Sequence, residues 1–146
     1  MYSIVEANSS HYVDIVEVWE ASVRATHSFV TEEDIRHFKP LILNDYLKMV
    51  DLRFVKNEAN RIIGFLGVAG DNIEMLFLHP DFIGQGIGKM LVEFAITKLG
   101  TTRVDVNEQN PKAVRFYEKA GFKVIGRSEF DPTGRPYPIL HMEIQK

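Results

Sequence analysis

The chain has 146 residues, 45% of them hydrophobic and 25% charged, with a formal net charge of −3. That size suffices for one domain with a sizeable core, and the lack of a basic stripe or arm argues against a general nucleic-acid binder. Cysteine is absent, which excludes a disulfide framework, a thiolate metal site and a cysteine nucleophile. The opening MYSIVEA lacks the plan of a signal peptide, and no apolar run approaches the ~18 residues of a membrane span. A single domain over residues 1–146, in the cytoplasm, is the expectation.

In chain order, residues 2–7 read as a short first strand. Residues 10–26 read as a helix, since Val13, Val16, Trp19, Ala21 and Val23 recur near helical spacing. Thr31 with Asp34 forms a capping signal for a second helix, ended near Lys39-Pro40, and a third helical stretch is expected over 41–50. The period then changes. Leu52 and Phe54 mark a strand, KNEANR a turn, and RIIGFLGVA (61–69) its hairpin partner. Residues 72–79 form another strand, stopped by Pro80. A helix follows to about Leu99, with Gly100 as its C-cap. TRVDVN (102–107) is a strand, and Asn110-Pro111 open the next helix as N-cap and first-turn residue. Gly121 ends that helix, FKVIGRSEF begins a strand, DPTGRP is a turn-rich connection, and YPILHMEI alternates as a final strand. The order predicts a mixed α/β sheet.

The segment DFIGQGIGKMLVEFA (81–95) places Gly84, Gly86 and Gly88 at a helix entrance. Strand, glycines and helix start make an anion site in outline, because the first helical N–H groups lack partners and carry partial positive charge. A P-loop is excluded: its first glycine would fall on Ile83, and Met90 stands where Ser or Thr must bind magnesium. A dinucleotide fingerprint is excluded as well, since its third glycine would fall on Lys89 or Leu91. On the glycines alone, a phosphate cradle and a tight turn with close helix–sheet packing remain equal readings.

LFLHPDFIGQGIGKMLVEFA followed by VNEQNPKAVRFYEKAGF resembles the GCN5-related N-acetyltransferases. Their acetyl-CoA loop, [QR]-x-x-G-x-[GA], aligns with Ile83, Gly84, Gln85, Gly86, Ile87 and Gly88. Their downstream element N-x-x-A-x-x-x-Y-x-x-x-G-F is matched by Asn110, Ala113, Tyr117, Gly121 and Phe122. ATHSF (25–29), VNEQN (106–110) and GRPYPIL (134–140) resemble a small bacterial subgroup. The resemblance implies a mostly antiparallel α/β (α+β) sheet with a splayed parallel strand pair, helices on both faces, and acetyl-CoA as acyl donor. One position departs: Ile83 replaces Gln or Arg and cannot donate to a phosphate, so main-chain N–H groups from Gly84 to Lys89 would have to suffice.

The resemblance also implies roles. Main-chain contacts to the pantetheine arm fall on Leu76, Phe77 and Leu78. Tyr117 becomes proton donor to the leaving thiolate, or else a packed phenol. Glu74, expected to share side-chain parity with Leu76 and Leu78, becomes the base for the amine, or else a rim carboxylate in an ion pair. Asn110 caps its helix and also meets the cofactor arm. Lys89 meets a phosphate or is solvated. An acceptor pocket is expected from Trp19, Thr26, His27, Phe29, Asn107 and Tyr137, with His141 raising the same question. His27 is alternatively a helix-end histidine satisfied by carbonyls, and Asn107 part of turn chemistry. The five histidines form no ligand pair, so no metal is expected. The expected function is direct acetyl transfer to a primary amine, of a small molecule or a peptide, by a monomer or homodimer without nucleic acid or membrane. An acyl-CoA-binding sensor without turnover is the other function class.

Overall fold

The structure, a computed structural model, describes residues 2–144. Its strands are β1 (Ser3–Glu6), β2 (Asp51–Lys56), β3 (Ile62–Ala69), β4 (Asn72–Leu78), β5 (Arg103–Asn107), β6 (Phe122–Ser128) and β7 (Ile139–Ile144). Its helices are α1 (Tyr12–Thr26), α2 (Glu32–Asn44), α3 (Ile87–Lys98) and α4 (Pro111–Lys119). The strands form one sheet in the order β1-β2-β3-β4-β5-β7-β6. Every pairing is antiparallel except β4 with β5.

Alternation along the central strands separates two cores. Val55, Ile63 and Leu66 pack with Leu91, Val92 and Ala95 of α3 and Tyr117 of α4 on one face. Phe54 and Phe65 pack with Ile15, Trp19 and Val23 of α1 and Ile35 and Ile42 of α2 on the other. Helices therefore cover both faces, as expected of a sheet whose interior strand β3 is buried throughout Ile63–Val68.

Several sequence expectations change at their ends. The first helix begins as a 3₁₀ turn, Ser9–His11, capped by Asn8. The second helix does not stop at Lys39-Pro40 but continues through Pro40 to Asn44. A mid-helix proline loses one hydrogen bond and crowds the preceding turn, yet Ile42, buried beyond it, secures the final turn against the core. The third helical stretch over 41–50 reduces to a 3₁₀ turn, Tyr46–Met49, anchored by buried Leu47. β6 ends at Ser128, short of Phe130, because its partner begins at Ile139 opposite Ser128. Tyr137 lies before the final strand, which begins at Ile139, and its hydroxyl bonds elsewhere.

That bond belongs to a buried carboxylate. Asp34 and Thr31 form a capping box at the start of α2, each side chain accepting from the other's backbone N–H at 3.1 Å. Arg135 Nη1 donates to Asp34 Oδ1 at 2.6 Å, and the Tyr137 hydroxyl donates to Oδ2. The Asp34 side chain is only 4% exposed. Burial works to raise its pKa, but hydrogen bonds from Tyr137 and Thr31 and the charge of Arg135 hold it below the usual value. One carboxylate thus ties the β6–β7 connection to the first turn of α2. Asp34→Ala should leave Arg135 and Tyr137 unpaired and destabilise the fold by ~2–3 kcal/mol, read as a lowered urea midpoint at pH 7. Because the folded carboxyl pKa is depressed, this contribution is present above the unfolded pKa and lost as pH falls through the folded one.

Candidate active site

The parallel pair is short. Asn72 faces Arg103 and Ile73 faces Val104, and pairing stops there. On its other edge β4 carries a bulge: Gly67 pairs Met75 and Val68 pairs Ile73, leaving Glu74 as the extra residue. The bulge shifts side-chain parity along β4. Ile73, Leu76 and Leu78 all pack into the α3–α4 core, whereas Glu74 stands beside Asn72 and Asp105. The expected common parity of Glu74 with Leu76 and Leu78 is therefore overturned, because one residue between them is not in the ladder.

Beyond the last registered pair, a cleft of about 360 Å³ opens between β4 and β5. Leu76 and Phe77 border it from β4, Asn107 from β5, and Asn110 and Tyr117 from α4. Asn110 accepts from the Ala113 N–H at 3.3 Å as N-cap, so its structural role is met. The Asn107 Oδ1 is buried without a hydrogen-bond partner, an acceptor free for a donor in the cleft. Tyr117 is 6% exposed, wedged edge-on between Phe116 and Phe122. Burial pushes its pKa well above the ordinary phenol value.

Glu74, Asp105 and Asp131 bring carboxylates to the cleft. Glu74 has a raised pKa, first because burial disfavours its charge and second because Asp105 repels it, with a hydrogen bond from Asn72 opposing both. His27, after the last turn of α1, lines the same space and packs on Phe29 and Phe77. Burial pushes its pKa down to about 4, so its imidazole is neutral at pH 7. The hydroxyl of Thr26 bonds the Ser22 carbonyl and meets His27 Nδ1, both at 2.7 Å.

The other residues expected in the acceptor pocket stand elsewhere. Trp19 is buried in the α1–α2 core. Thr26 supports His27 without lining the cleft. Phe29 packs between His27 and Tyr137, and Tyr137 serves Asp34. Beside His141, the cleft collects two residues that local patterns do not flag, Asp105 and Ser128. Asp105, His141 and Ser128 come from β5, β7 and β6 and line it together. Their proximity follows from β7 inserting between β5 and β6, which only the sheet order reveals.

The glycine segment divides its work. Gly84 and Gly86 have φ of 87° and 84°, where a side chain is strained, and open space surrounds both. Gly86 is the N-cap of α3, and no side chain caps that helix, so its first N–H groups point outward with partial positive charge. Gly88 differs: an added Cβ would lie 3.2 Å from Phe116 Cζ, so this glycine admits α4 against α3. Ile87 is buried in the core and Lys89 is exposed. Ile83 is 51% exposed, and Gln85 accepts from the Tyr2 hydroxyl, pinning the loop to the first strand. Main-chain donors at a bare helix start, with no side chain over Gly84 and Gly86, fit a diphosphate. No three or more side chains among residues 2–144 are placed to hold a metal ion, and no helix there is long and apolar enough to cross a membrane.

Residues 26–145 match the acetyltransferase (GNAT) domain family. The chain is 42% identical over 128 residues to the peptidyl-lysine N-acetyltransferase YjaB of Salmonella typhimurium, covering 88% of each. It superposes on the solution structure of the apo form of YjaB from Escherichia coli with a TM-score of 0.87 at 37% identity, covering 98% of this chain and 97% of that one. The PaiA N-acetyltransferase of Thermoplasma acidophilum, solved with coenzyme A, shares the fold at a TM-score of 0.74 and 23% identity, covering 100% and 99% of the two chains. A parallel strand pair that parts at a bulge, a bare helix start beside it and this relatedness along most of the chain lead to one conclusion: the chain belongs to the GNAT acetyltransferases, enzymes that use acetyl-CoA as acyl donor.

Proposed function

We propose that this enzyme acetylates the side-chain amine of lysine in peptides or proteins, with acetyl-CoA and acceptor held together and the acetyl group passing directly between them. The charge of the cleft carries the reading. Glu74, Asp105 and Asp131 line it, and no lysine or arginine among residues 2–144 does. Carboxylates with low-dielectric walls concentrate a cation, and a lysine side chain brings one on a long, slender arm. The relatives named as peptidyl-lysine N-acetyltransferases, at 40–42% identity, support the same acceptor.

When bound, acetyl-CoA supplies the thioester carbon that the amine attacks. The main-chain N–H groups from Gly84 to Lys89 hold its diphosphate, with no help from the side chain of Ile83. Lys89 offers a charge nearby. The main chain of Leu76, Phe77 and Leu78, with Asn110, orients the pantetheine arm across the opening of the strands. Tyr117 keeps its proton throughout the working pH range, because burial raises its pKa, and so enters each turnover as a donor to the departing sulfur. Glu74 accepts a proton from the acceptor nitrogen, and its raised pKa makes it a stronger base than an ordinary glutamate. Asn107 offers a free acceptor oxygen for an N–H of the incoming amine. His27 stays neutral beside that amine and does not repel it.

Incubation with acetyl-CoA and lysine peptides should release coenzyme A and leave the label on the lysine Nε. Turnover with free amino acids or polyamines but with no lysine peptide would contradict the acceptor. Tyr117→Phe should lower kcat by roughly 10²-fold while the Kd for acetyl-CoA stays within about twofold. An unchanged kcat would remove Tyr117 from the chemistry.

His27 also predicts a pH dependence. Its folded pKa, about 4, lies below the ordinary 6.5. Between those values the unfolded chain binds the proton and the folded one does not, so stability falls as pH drops through that window. His27→Gln should flatten the decline in urea midpoint between pH 6.5 and 4 relative to the wild type. Parallel curves would contradict a buried neutral His27.

A further inference from the structure

Three side chains in the cleft form an ordered hydrogen-bond chain. His141 Nδ1 lies 2.7 Å from Asp105 Oδ1, and His141 Nε2 lies 2.7 Å from Ser128 Oγ. The sheet fixes their placement: Asp105 faces His141 directly across β5–β7, and Ser128 stands two residues past Gly126, which faces His141 from β6. The carboxylate of Asp105 can only accept. In a neutral imidazole the proton therefore sits on Nδ1, Nε2 holds the lone pair, and Ser128 donates its hydroxyl proton to Nε2. The serine oxygen is then left with lone pairs to accept a further proton. The His141 side chain is 38% exposed, so the chain runs from the cleft to water.

Resting on the lysine-acetyltransferase reading above, we propose that Ser128, His141 and Asp105 form a relay that removes the ammonium proton of the acceptor before attack. An alkylamine of pKa ~10.4 is neutral only about once in ~10³ at pH 7, and a filled cleft leaves little water to take its proton. The nitrogen gives up two protons in all. The ammonium proton passes to Ser128 Oγ as the hydroxyl proton passes to His141 Nε2. This leaves a neutral amine, an intact serine and an imidazolium, and Asp105 stays a carboxylate throughout. His141 then releases the proton to water. The second proton, lost as the amide forms, goes to Glu74 and balances the one that Tyr117 gives to sulfur. Asp105 positions the ring and stabilises its charge. The charged and titratable groups sharing the cleft with His141 are Glu74 from β4, Asp105 from β5, Asp131 from the β6–β7 connection, Tyr117 from α4 and His27 just after α1.

The test compares two peptides that differ only at the acceptor: lysine, protonated at pH 7, and an acylhydrazide, whose terminal nitrogen is already neutral. His141→Gln should lower kcat/KM by roughly 10²-fold on the lysine peptide and by no more than about threefold on the hydrazide, with the lysine deficit shrinking as pH approaches ~10. Ser128→Ala should show the same split, whereas Glu74→Gln should impair both acceptors. Equal losses on the two peptides with an unchanged pH profile would overturn the relay and leave the acetyltransferase reading standing. Failure of the wild type to acetylate either peptide would reject that reading, and the relay with it. Two readouts do not depend on turnover. Ring ¹⁵N shifts in the free protein should place the proton of neutral His141 on Nδ1, and its placement on Nε2 would overturn the relay. After exposure to acetyl-CoA alone, mass spectrometry should find Ser128 unmodified. An acetyl group on Ser128 would make it a nucleophile and overturn the relay as well.

Discussion

The site depends on the early parting of two parallel strands. β4 and β5 share two registered pairs and then separate, beside a bulge at Glu74 that breaks the ladder on the other edge of β4. A bulge increases local twist and re-aims the side chains on either side of it. Here it sends Leu76 and Leu78 into the α3–α4 core and leaves Glu74 with Asp105. The separation leaves edge backbone of β4 without a strand partner, opens the cleft and admits Tyr117 and Asn110 from α4 to its wall. On the proposed reading, cofactor and acceptor chemistry meet at this gap.

Two further devices hold the walls of that gap. On the α3 side, Gly88 brings α3 against Phe116, and Gly84 and Gly86 bend the chain so that the uncapped start of α3 faces outward. On the α2 side, Asp34 gathers Thr31, Arg135 and Tyr137 and fixes the β6–β7 connection against α2. That connection carries Phe130, Asp131 and Pro132 to the cleft rim. A carboxylate remote from the chemistry thus shapes the space where an acceptor would lie.

Periodicity and turn chemistry made most of the fold legible. The change from helical to alternating spacing near residue 51, the Thr31–Asp34 cap, the Asn110-Pro111 helix start and Gly100 as a stop all reflect local physics, and all recur in the structure. Pro40 misled because the burial of Ile42 outweighs a local penalty. Strict alternation puts Glu74 on the wrong face, since it holds only in an unbroken ladder, and a bulge leaves no mark in residue types. The three glycines look alike in the sequence but serve two ends, since the close approach of Phe116 to Gly88 comes from a distant helix. Trp19 and Tyr137 invited a binding role by their chemistry, and packing claims the one and Asp34 the other. Asp105, His141 and Ser128 lie up to 36 positions apart in the chain, and their meeting depends on β7 inserting between β5 and β6.

The central claim is that both substrates meet in the opening between β4 and β5. A crystal structure with a non-transferable acetyl-CoA analogue and a lysine peptide tests it most directly. The account predicts the diphosphate against the main chain of Gly84–Lys89, the pantetheine arm along Leu76–Leu78, and the lysine nitrogen within hydrogen-bond reach of Ser128 Oγ or the Glu74 carboxylate. A lysine bound away from both groups, or a cofactor lying outside the strand opening, would contradict it.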